Sequence, residues 1–193
     1  MAAITIRRLT TSELDIDIYR YMRLRILTAD PSQFGSNYAR ELAFTRDIWL
    51  RRLTNPRSAT FIAVSGSEPS FESLSEDERD ATYVGIIGGM GGFDSPDPTW
   101  AYVMSVWVAP SARGQGVGDT LLAKTLRWVV TYRDEAEGGL DGRGRRSFSQ
   151  IVLSVKSDNP FARRLYERAG FVEDGEADDP TEILMKRAMP NFD

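Results

Sequence analysis

The N-terminal part of the chain alternates hydrophobic and polar positions, first at the period of a strand and then at that of a helix. Ile4 and Ile6 are separated by polar neighbours, which predicts a short first strand. From Leu14 to Met22 apolar residues recur every three or four positions, as is typical of a helix. Thr10 and Glu13 have the spacing of a capping box, so we expect the helix to begin there.

The next part of the pattern predicts a second helix and three strands. Asp30-Pro31 ends the first helix, because the residue before a proline disfavours helical conformation. Residues 37–53 then carry apolar side chains at helical spacing. Thr60 to Val64 and Tyr83 to Met90 predict an antiparallel pair of strands. Trp100 to Val108 is almost continuously apolar, which predicts a strand buried on both faces.

Two polar segments separate these elements and are expected to be surface connections. Ser65 to Ala81 is rich in Ser, Glu and Asp, and we expect a solvated hairpin loop. Tyr132 to Ser147 is rich in glycine and arginine, which predicts a connection without regular structure. Three of its arginines are candidates for contact with an anionic ligand: Arg143, Arg145 and Arg146.

The C-terminal third predicts two more helices and three more strands. Residues from Val117 to Val130 form one apolar helical face, and Ile151 to Val155 is a strand. Asn159 caps the last helix, and the chain closes with strands at Phe171-Val172 and Glu182 to Lys186. The order β-α-α-β-β-β-α-β-α-β-β implies a mixed α/β (α+β) sheet with helices on its faces, in one domain over residues 1–193.

Composition narrows the class of protein without identifying it. The 193 residues are 41% hydrophobic and 27% charged, an ordinary balance for a globular domain, and the formal charge of −4 argues against a nucleic-acid partner. No apolar run is long enough to cross a bilayer, and Met1 to Arg8 lacks the apolar stretch of a signal peptide. We therefore expect a cytoplasmic protein without a membrane partner.

The chain contains neither cysteine nor histidine, and this excludes several kinds of chemistry. Disulfides, Cys or His metal sites and Ser-His-Asp or Cys-His catalytic sites are all impossible. We expect no metal site. Catalysis must then depend on carboxylates, hydroxyls, tyrosines, backbone amides or a cofactor.

A glycine turn lies between the strand that ends at Val108 and the helix that follows. Arg113-Gly114-Gln115-Gly116-Val117-Gly118 leads directly into that helix, whose first turn offers unpaired N–H groups and the positive end of its dipole. Such a turn suits a pyrophosphate. A Walker loop would need Gly-Lys-Ser or Gly-Lys-Thr, and a dinucleotide fingerprint would need a glycine where Asp119 stands.

This turn resembles the acetyl-coenzyme A motif of the GNAT superfamily of N-acetyltransferases, Q/R-x-x-G-x-G/A. Arg113, Gly116 and Gly118 occupy its fixed positions. The segment 159–171 resembles the later helix of the same superfamily, with its Asn, Ala, Leu-Tyr-Glu and Gly-Phe. Two matches in the right order, about forty residues apart, make the resemblance specific over roughly residues 100–175.

The resemblance implies a mixed, mostly antiparallel central sheet of about seven strands flanked by about four helices. It implies an acetyl-CoA-dependent N-acetyltransferase that transfers the acetyl group directly in a ternary complex. The residues implied to bind the cofactor, among them three whose strand pairs with the pantetheine arm, are Val106, Trp107, Val108, Arg113, Gly114, Gln115, Gly116, Val117, Gly118, Asp119, Asn159, Ala162, Arg163 and Tyr166.

Five residues are candidates for the chemistry. Tyr166 is expected to be the general acid, since a phenol with a pKa of about 10 can protonate a departing thiolate. The amide of Val106 is expected to stabilise the oxyanion. Many superfamily members carry a glutamate on the preceding strand, which is missing here, so the base is water or a carboxylate such as Glu41 or Asp94. Ser105 is a candidate for orienting the water or the amine.

The acceptor is the least defined part of the site. Phe34, Tyr38, Glu41 and Tyr102 are candidates for an acceptor pocket, with Glu41 attracting a cationic amine. We expect a small or amino-acid-like primary amine. A protein N-terminal or lysine acceptor, a CoA-binding module without turnover and a nucleotide-binding enzyme of another class remain alternatives, and a homodimer is compatible with the sequence.

Overall fold

The computed structural model describes residues 2–92, 97, 99–132 and 148–189. Its centre is one seven-stranded sheet in the order β1-β2-β3-β4-β5-β7-β6. Every neighbouring pair is antiparallel except β4 and β5, which are parallel. This confirms the predicted mixed, mostly antiparallel sheet. The strands are β1 Ile4–Arg8, β2 Ser58–Ser65, β3 Tyr83–Gly91, β4 Trp100–Val108, β5 Gln150–Lys156, β6 Val172–Glu176 and β7 Glu182–Ala188.

Six α-helices lie in the described part of the chain, rather than about four. They are α1 Glu13–Ala29, α2 Tyr38–Leu42, α3 Arg46–Thr54, α4 Glu76–Thr82, α5 Val117–Thr131 and α6 Pro160–Arg168. Short 3-10 turns at Pro31–Gln33 and Pro110–Ala112 follow α1 and β4. Among the described residues, no helix is both long and apolar enough to cross a membrane.

The predicted second helix over 37–53 is wrong, because it consists of two helices. The amide of Phe44 bonds to the carbonyl of Glu41 at 3.1 Å, which tightens the end of α2. Thr45 then adopts extended backbone and begins α3. The predicted loop Ser65 to Ala81 is also wrong in part, since it contains α4, and the capping box of Ser75 with Glu78 was the available signal.

The start of α1 differs from the prediction as well. Ser12 is the N-cap, and its hydroxyl accepts a hydrogen bond from the amide of Asp15 at 3.2 Å. Thr10 instead donates its hydroxyl to the carboxylate of Asp15 at 2.6 Å. The predicted Thr10–Glu13 capping box is therefore wrong, because Ser12 lies closer to the first helical turn and takes the cap.

Strand β4 is half-buried rather than buried on both faces as predicted. Ala101, Val103 and Trp107 are buried, whereas the residues between them are partly exposed. Glycines on the neighbouring β3 let α5 approach the sheet, since a Cβ at Gly89 would lie 2.9 Å from the ring of Trp128. The helix α5 therefore packs directly on the backbone of β3, and β4 stands at the border of a cleft.

Strands β4 and β5 separate soon after they meet. Their pairing in the described residues covers Trp100 to Tyr102 on β4 and Gln150 to Val152 on β5. Beyond it, the register of β4 against β3 shifts, so that Ser105 and Val106 together face Ile87. Ser105 has a φ of 57°, as in a β-bulge. The bulge accompanies the divergence of the two strands, which opens a cleft through the sheet.

Candidate active site

The cleft between the diverging strands has a volume of about 990 Å³. The backbone of β4 forms one wall, the start of α6 forms the other, and the glycine turn forms one end. Its lining residues are Asp30, Gln33, Phe34, Val106, Trp107, Val108, Ala112, Arg113, Gly114, Gly116, Val117, Gly118, Asp119, Asp158, Asn159, Pro160, Phe161, Ala162, Leu165 and Arg168. Most of the predicted cofactor-binding residues are thus brought together.

The glycine turn exposes backbone to this cleft. Gly114 and Gly116 have φ values of 74° and 75°, a conformation that favours glycine, and a Cβ at either would meet no atom within 4 Å. Gly116 is the N-cap of α5 and provides no side-chain cap, so the first amides of that helix stay available. The side chain of Gln115 bonds to the carbonyl of Ser111 at 2.9 Å and is not among the lining residues.

The third glycine of the motif has a different role. A Cβ at Gly118 would lie 3.4 Å from the side chain of Leu165 on α6 and 3.8 Å from that of Val108. Gly118 therefore lets α5 and α6 approach each other at the end of the cleft.

Arg113 is held at the edge of β4 by two hydrogen bonds. Its Nε donates to the carbonyl of Val108 at 2.9 Å, and one terminal nitrogen donates to Asp30 at 3.0 Å. The same carboxylate oxygen accepts from the indole of Trp107 at 2.7 Å. The sequence indicates Asp30 only as the end of a helix, and the 83 positions between Asp30 and Arg113 leave no local signal for this contact.

The opposite wall is fixed by Asn159. Its side-chain oxygen accepts from the amide of Ala162 at 3.0 Å, which confirms the predicted cap. Its Nδ2 donates to Gln33 at 2.8 Å. Because Asp30 bonds to the β4 wall and Gln33 to the α6 wall, the 3-10 turn between them spans the cleft.

Two charged residues predicted to bind the cofactor differ in their placement. Asp119 lines the cleft and forms an ion pair with Arg168 at 2.9 Å, with both side chains more than half exposed. Arg163 does not line it, and its guanidinium contacts Glu167 and Glu173 instead. Arg168 was missed, although its helical spacing of three from the lining residue Leu165 places both on one face of α6.

Tyr166 is almost completely buried, with 5% of its surface exposed. Its ring packs edge-on against Phe171 at a centroid distance of 6.0 Å, beside the lining residue Leu165. Burial raises the pKa of the Tyr166 phenol well above its ordinary value. The phenol is protonated at neutral pH, and its raised pKa makes it a weaker acid than an exposed tyrosine.

Glu41 lies in a buried cluster of four side chains, Arg23, Glu41, Arg52 and Ser105, here called the Glu41 cluster. Arg23 donates to both carboxylate oxygens of Glu41, at 3.1 and 2.5 Å, and Arg52 adds a third bond at 3.1 Å. Burial alone would raise the pKa of Glu41, but the bonds from Arg23 and the charges of Arg23 and Arg52 lower it. This geometry does not support Glu41 as a base or as an amine ligand.

The other acceptor candidates are only partly brought together. Phe34 lines the cleft, and Tyr102 lies where the pairing of β4 with β5 ends. Tyr38 is 42% exposed and lies in a separate surface groove over α1. Asp94 and the arginines at 143, 145 and 146 lie outside the described residues.

Sequence analysis also missed a carboxylate that lines the cleft. Asp158 stands between the end of β5 and the cap of α6, and it forms no ion pair or hydrogen bond with another described side chain. Its position directly before Asn159 in the motif was the available signal.

Comparison with known proteins agrees with this geometry. The family model for the acetyltransferase (GNAT) domain matches residues 76–173. No curated protein matches the sequence significantly.

Among solved structures, the chain is similar to a GNAT-family acetyltransferase from Streptococcus pneumoniae, with 14% identity and a TM-score of 0.63 over 97% of this chain and 100% of that one. It is also similar to a GCN5-related N-acetyltransferase from Kribbella flavida, at 20% identity and a TM-score of 0.62 over 96% and 98%. A third similar structure is the PaiA N-acetyltransferase of Thermoplasma acidophilum in complex with coenzyme A, at 15% identity and a TM-score of 0.53 over 96% and 99%.

Proposed function

Because the chain belongs to the GNAT family of acetyltransferases, we propose that it transfers an acetyl group from acetyl-CoA to the primary amine of a small or amino-acid-like acceptor. The observation that carries this proposal is the meeting of two features in one cleft. One is the edge of β4 beyond Tyr102, and the other is the glycine turn at the start of α5.

The residues present fit coenzyme A. The open space at Gly114 and Gly116 and the uncapped start of α5 suit a pyrophosphate, which accepts hydrogen bonds from backbone amides. Val106 to Val108 would pair with the pantetheine arm through their backbone, as a neighbouring strand would. Arg168 at the mouth of the cleft adds a positive charge close to the turn. When bound, the coenzyme supplies the acetyl group as an activated thioester.

The chain's own groups would position the reactants and move protons. The Val106 amide, next to the bulge, is the proposed donor towards the thioester carbonyl oxygen. The Tyr166 hydroxyl, kept protonated by burial, is the proposed proton donor to the leaving sulfur.

The acceptor side uses a carboxylate other than Glu41. Asp158 lines the cleft and has no partner among the described side chains, so it is available to attract a cationic amine. We propose that Asp158, directly or through water, takes up the proton that the amine loses. On β4, Tyr102 lies where the pairing with β5 ends, and the Ser105 hydroxyl is bonded to Arg23.

The test is thiol release from acetyl-CoA across a panel of small amines, amino acids and peptides, with the product identified by a gain of one acetyl group in mass. Tyr166→Phe should lower kcat about 100-fold while leaving the affinity for coenzyme A unchanged. Tyr19→Phe is the matched control, since Tyr19 is a buried tyrosine of α1 packed on Trp49. Equal activity of Tyr166→Phe and the wild type would remove Tyr166 from the mechanism.

The panel also separates the alternatives. Acetylation of peptides alone would favour a protein N-terminal or lysine acetyltransferase. Tight binding of coenzyme A without thiol release would favour a binding module. Greater thermal stabilisation by NAD or ATP than by acetyl-CoA would contradict the proposal altogether.

A further inference from the structure

The bulge of β4 has a backbone conformation that its own residue type does not favour. Ser105 has a φ of 57° and is the single non-glycine residue with positive φ in the described part of the chain. A side chain in this region crowds the backbone, so residues other than glycine adopt it rarely. Ser105 lies next to Val106, where the register against β3 shifts. Some other contact must hold it there.

That contact comes from a helix on one face of the sheet. One terminal nitrogen of Arg23, on α1, donates a hydrogen bond to the Ser105 hydroxyl at 2.8 Å. Arg23 is only 6% exposed, and its other two nitrogens bond to Glu41. All three nitrogens of the guanidinium are therefore engaged in the Glu41 cluster.

The far side of the cluster is fixed as well. Arg52 bonds to Glu41 and lies over the rings of Phe44 and Trp49, at 4.8 and 5.3 Å from their centroids. Since Arg52 and Arg23 both hold the same carboxylate, Glu41 cannot turn towards solvent. The planar guanidinium of Arg23 is thus held in one orientation, and in this orientation its remaining nitrogen points to the Ser105 hydroxyl.

We propose that Arg23 is a positioning residue for catalysis, which acts through the Ser105 hydroxyl to hold the bulge of β4. The bulge sets the direction in which the backbone of Val106 to Val108 faces the cleft. This inference rests on the proposed function, because it assigns the Val106 amide to the reacting carbonyl. In this role the Ser105 hydroxyl anchors the backbone of β4, and Glu41 holds Arg23 in the orientation that bonds to this hydroxyl.

Substitution of Ser105 separates an anchor from a reacting hydroxyl. Ser105→Ala removes the hydroxyl and leaves a residue that disfavours positive φ, so the bulge should relax and kcat should fall about tenfold. Ser105→Gly also removes the hydroxyl but accepts this φ freely, so kcat should stay within about threefold of the wild type. Ser65→Ala, a strand serine paired with Ile4 on the far edge of the sheet, is the matched control.

Two results would overturn the proposal. An unchanged kcat in Ser105→Ala would mean that the bulge needs no anchor. Equal losses in the alanine and glycine variants would mean that the hydroxyl itself takes part in the reaction.

Arg23 is tested in both backgrounds. A lysine presents a single ammonium group and cannot hold Glu41 and Ser105 together, so Arg23→Lys should lower kcat in the wild type. In Ser105→Gly the same substitution should change kcat less than about twofold, since the anchored hydroxyl is already gone. An equal fold decrease in kcat on Arg23→Lys in the wild type and in Ser105→Gly would contradict the inference. Thermal unfolding of each variant confirms that it is folded at the assay temperature.

Calorimetric binding of coenzyme A keeps this test separate from the proposed function. If the wild type acetylates no acceptor, the proposed function fails, but the geometry of β4 still affects the bound pantetheine. Ser105→Ala should then bind coenzyme A about threefold more weakly than the wild type, with Ser105→Gly unchanged. Equal affinities in all three proteins would overturn the inference on this measurement too.

Discussion

The glycine turn, which follows β4, and the Glu41 cluster, which contacts β4 at Ser105, differ in how their polar groups are satisfied. The turn has no side-chain cap at Gly116, and the missing side chains of Gly114 and Gly116 leave the space beside its backbone open. The cluster surrounds one carboxylate with three hydrogen bonds from two arginines and exposes none of it. Unsatisfied groups at a surface are available to a ligand, whereas satisfied buried groups hold the fold. Changes at the glycines of the turn should therefore act mainly on binding, whereas loss of the Glu41 carboxylate should act mainly on stability.

Among the variants that test this difference, Glu41→Ala is expected to have the largest effect, on the stability of the fold. The variant leaves the buried guanidinium of Arg23 without its ion-pair partner, so the free energy of unfolding should fall by about 3–5 kcal/mol. Urea unfolding of the variant and the wild type measures this difference in free energy. A loss below about 1 kcal/mol would show that the ion pair contributes no more than a pair exposed to solvent.

Gly116→Val should have the next largest effect, on binding rather than on stability alone. The positive φ of 75° disfavours a β-branched residue, so the turn should distort and the affinity for coenzyme A should fall about 10- to 100-fold. Gly66→Val is the matched control, because Gly66 has a φ of 77° away from the cleft. Its stability should fall similarly, with the coenzyme A affinity unchanged. Equal affinity losses in both variants would contradict a specific role of the turn.

The cluster should also give the protein a distinct response to acid. The pKa of Glu41 is lower in the folded state than its ordinary value of about 4.5, so the folded state binds the proton less readily than the unfolded state. Its contribution to stability is complete above that pH and is lost as the pH falls below it. The wild type should therefore lose stability more steeply than Glu41→Gln below pH 4.5, by up to about 1.4 kcal/mol per pH unit. Thermal unfolding at several pH values measures this. If both proteins lost stability equally as the pH falls, the lowered pKa of Glu41 would be contradicted.

The smallest effect is expected at the mouth of the cleft. Asp119 and Arg168 form an ion pair with both side chains more than half exposed, so Asp119→Asn should change the free energy of unfolding by less than about 1 kcal/mol. The variant frees Arg168, so coenzyme A should bind at least as tightly as to the wild type. A weaker affinity would show that Asp119 itself positions the ligand.

The same contrast explains which parts of the site were predictable. The strand and the glycine turn are neighbours in the chain, and the cap at Asn159 depends on the residues next to it, so short-range conformational rules cover each of them. Glu41 was expected to be a base or an amine ligand, and its hydrogen bonds with Arg23 do not support that role. The chain offers no local signal for them, because Arg23 is 18 positions from Glu41 and 82 positions from Ser105, whose hydroxyl it also bonds. The same holds for Asp30, which meets Arg113 across 83 positions.

The errors in the fold have local causes that compete with the hydrophobic pattern. The apolar positions of 37–53 keep a helical period through the break after Leu42, but Tyr38 and Leu42 are exposed and it is α3 that buries an apolar side chain, Trp49. The period alone cannot reveal that the backbone leaves helical conformation at Thr45. In the segment before β3, the polar composition concealed α4, whose cap is a stronger signal than its hydrophobicity.

The amino-acid sequence alone determined the seven strands and the position of the glycine turn, because these depend on periodicity and on glycines at fixed spacing. The family followed from the resemblance of two motifs. The tertiary structure alone decided that Glu41 is enclosed by arginines, that Asp158 faces the cleft and that β4 is bent at Ser105. Those features depend on which distant side chains meet when the layers pack. The spacing of residues along the chain carries no information about these long-range contacts, because the packing of the whole chain determines them.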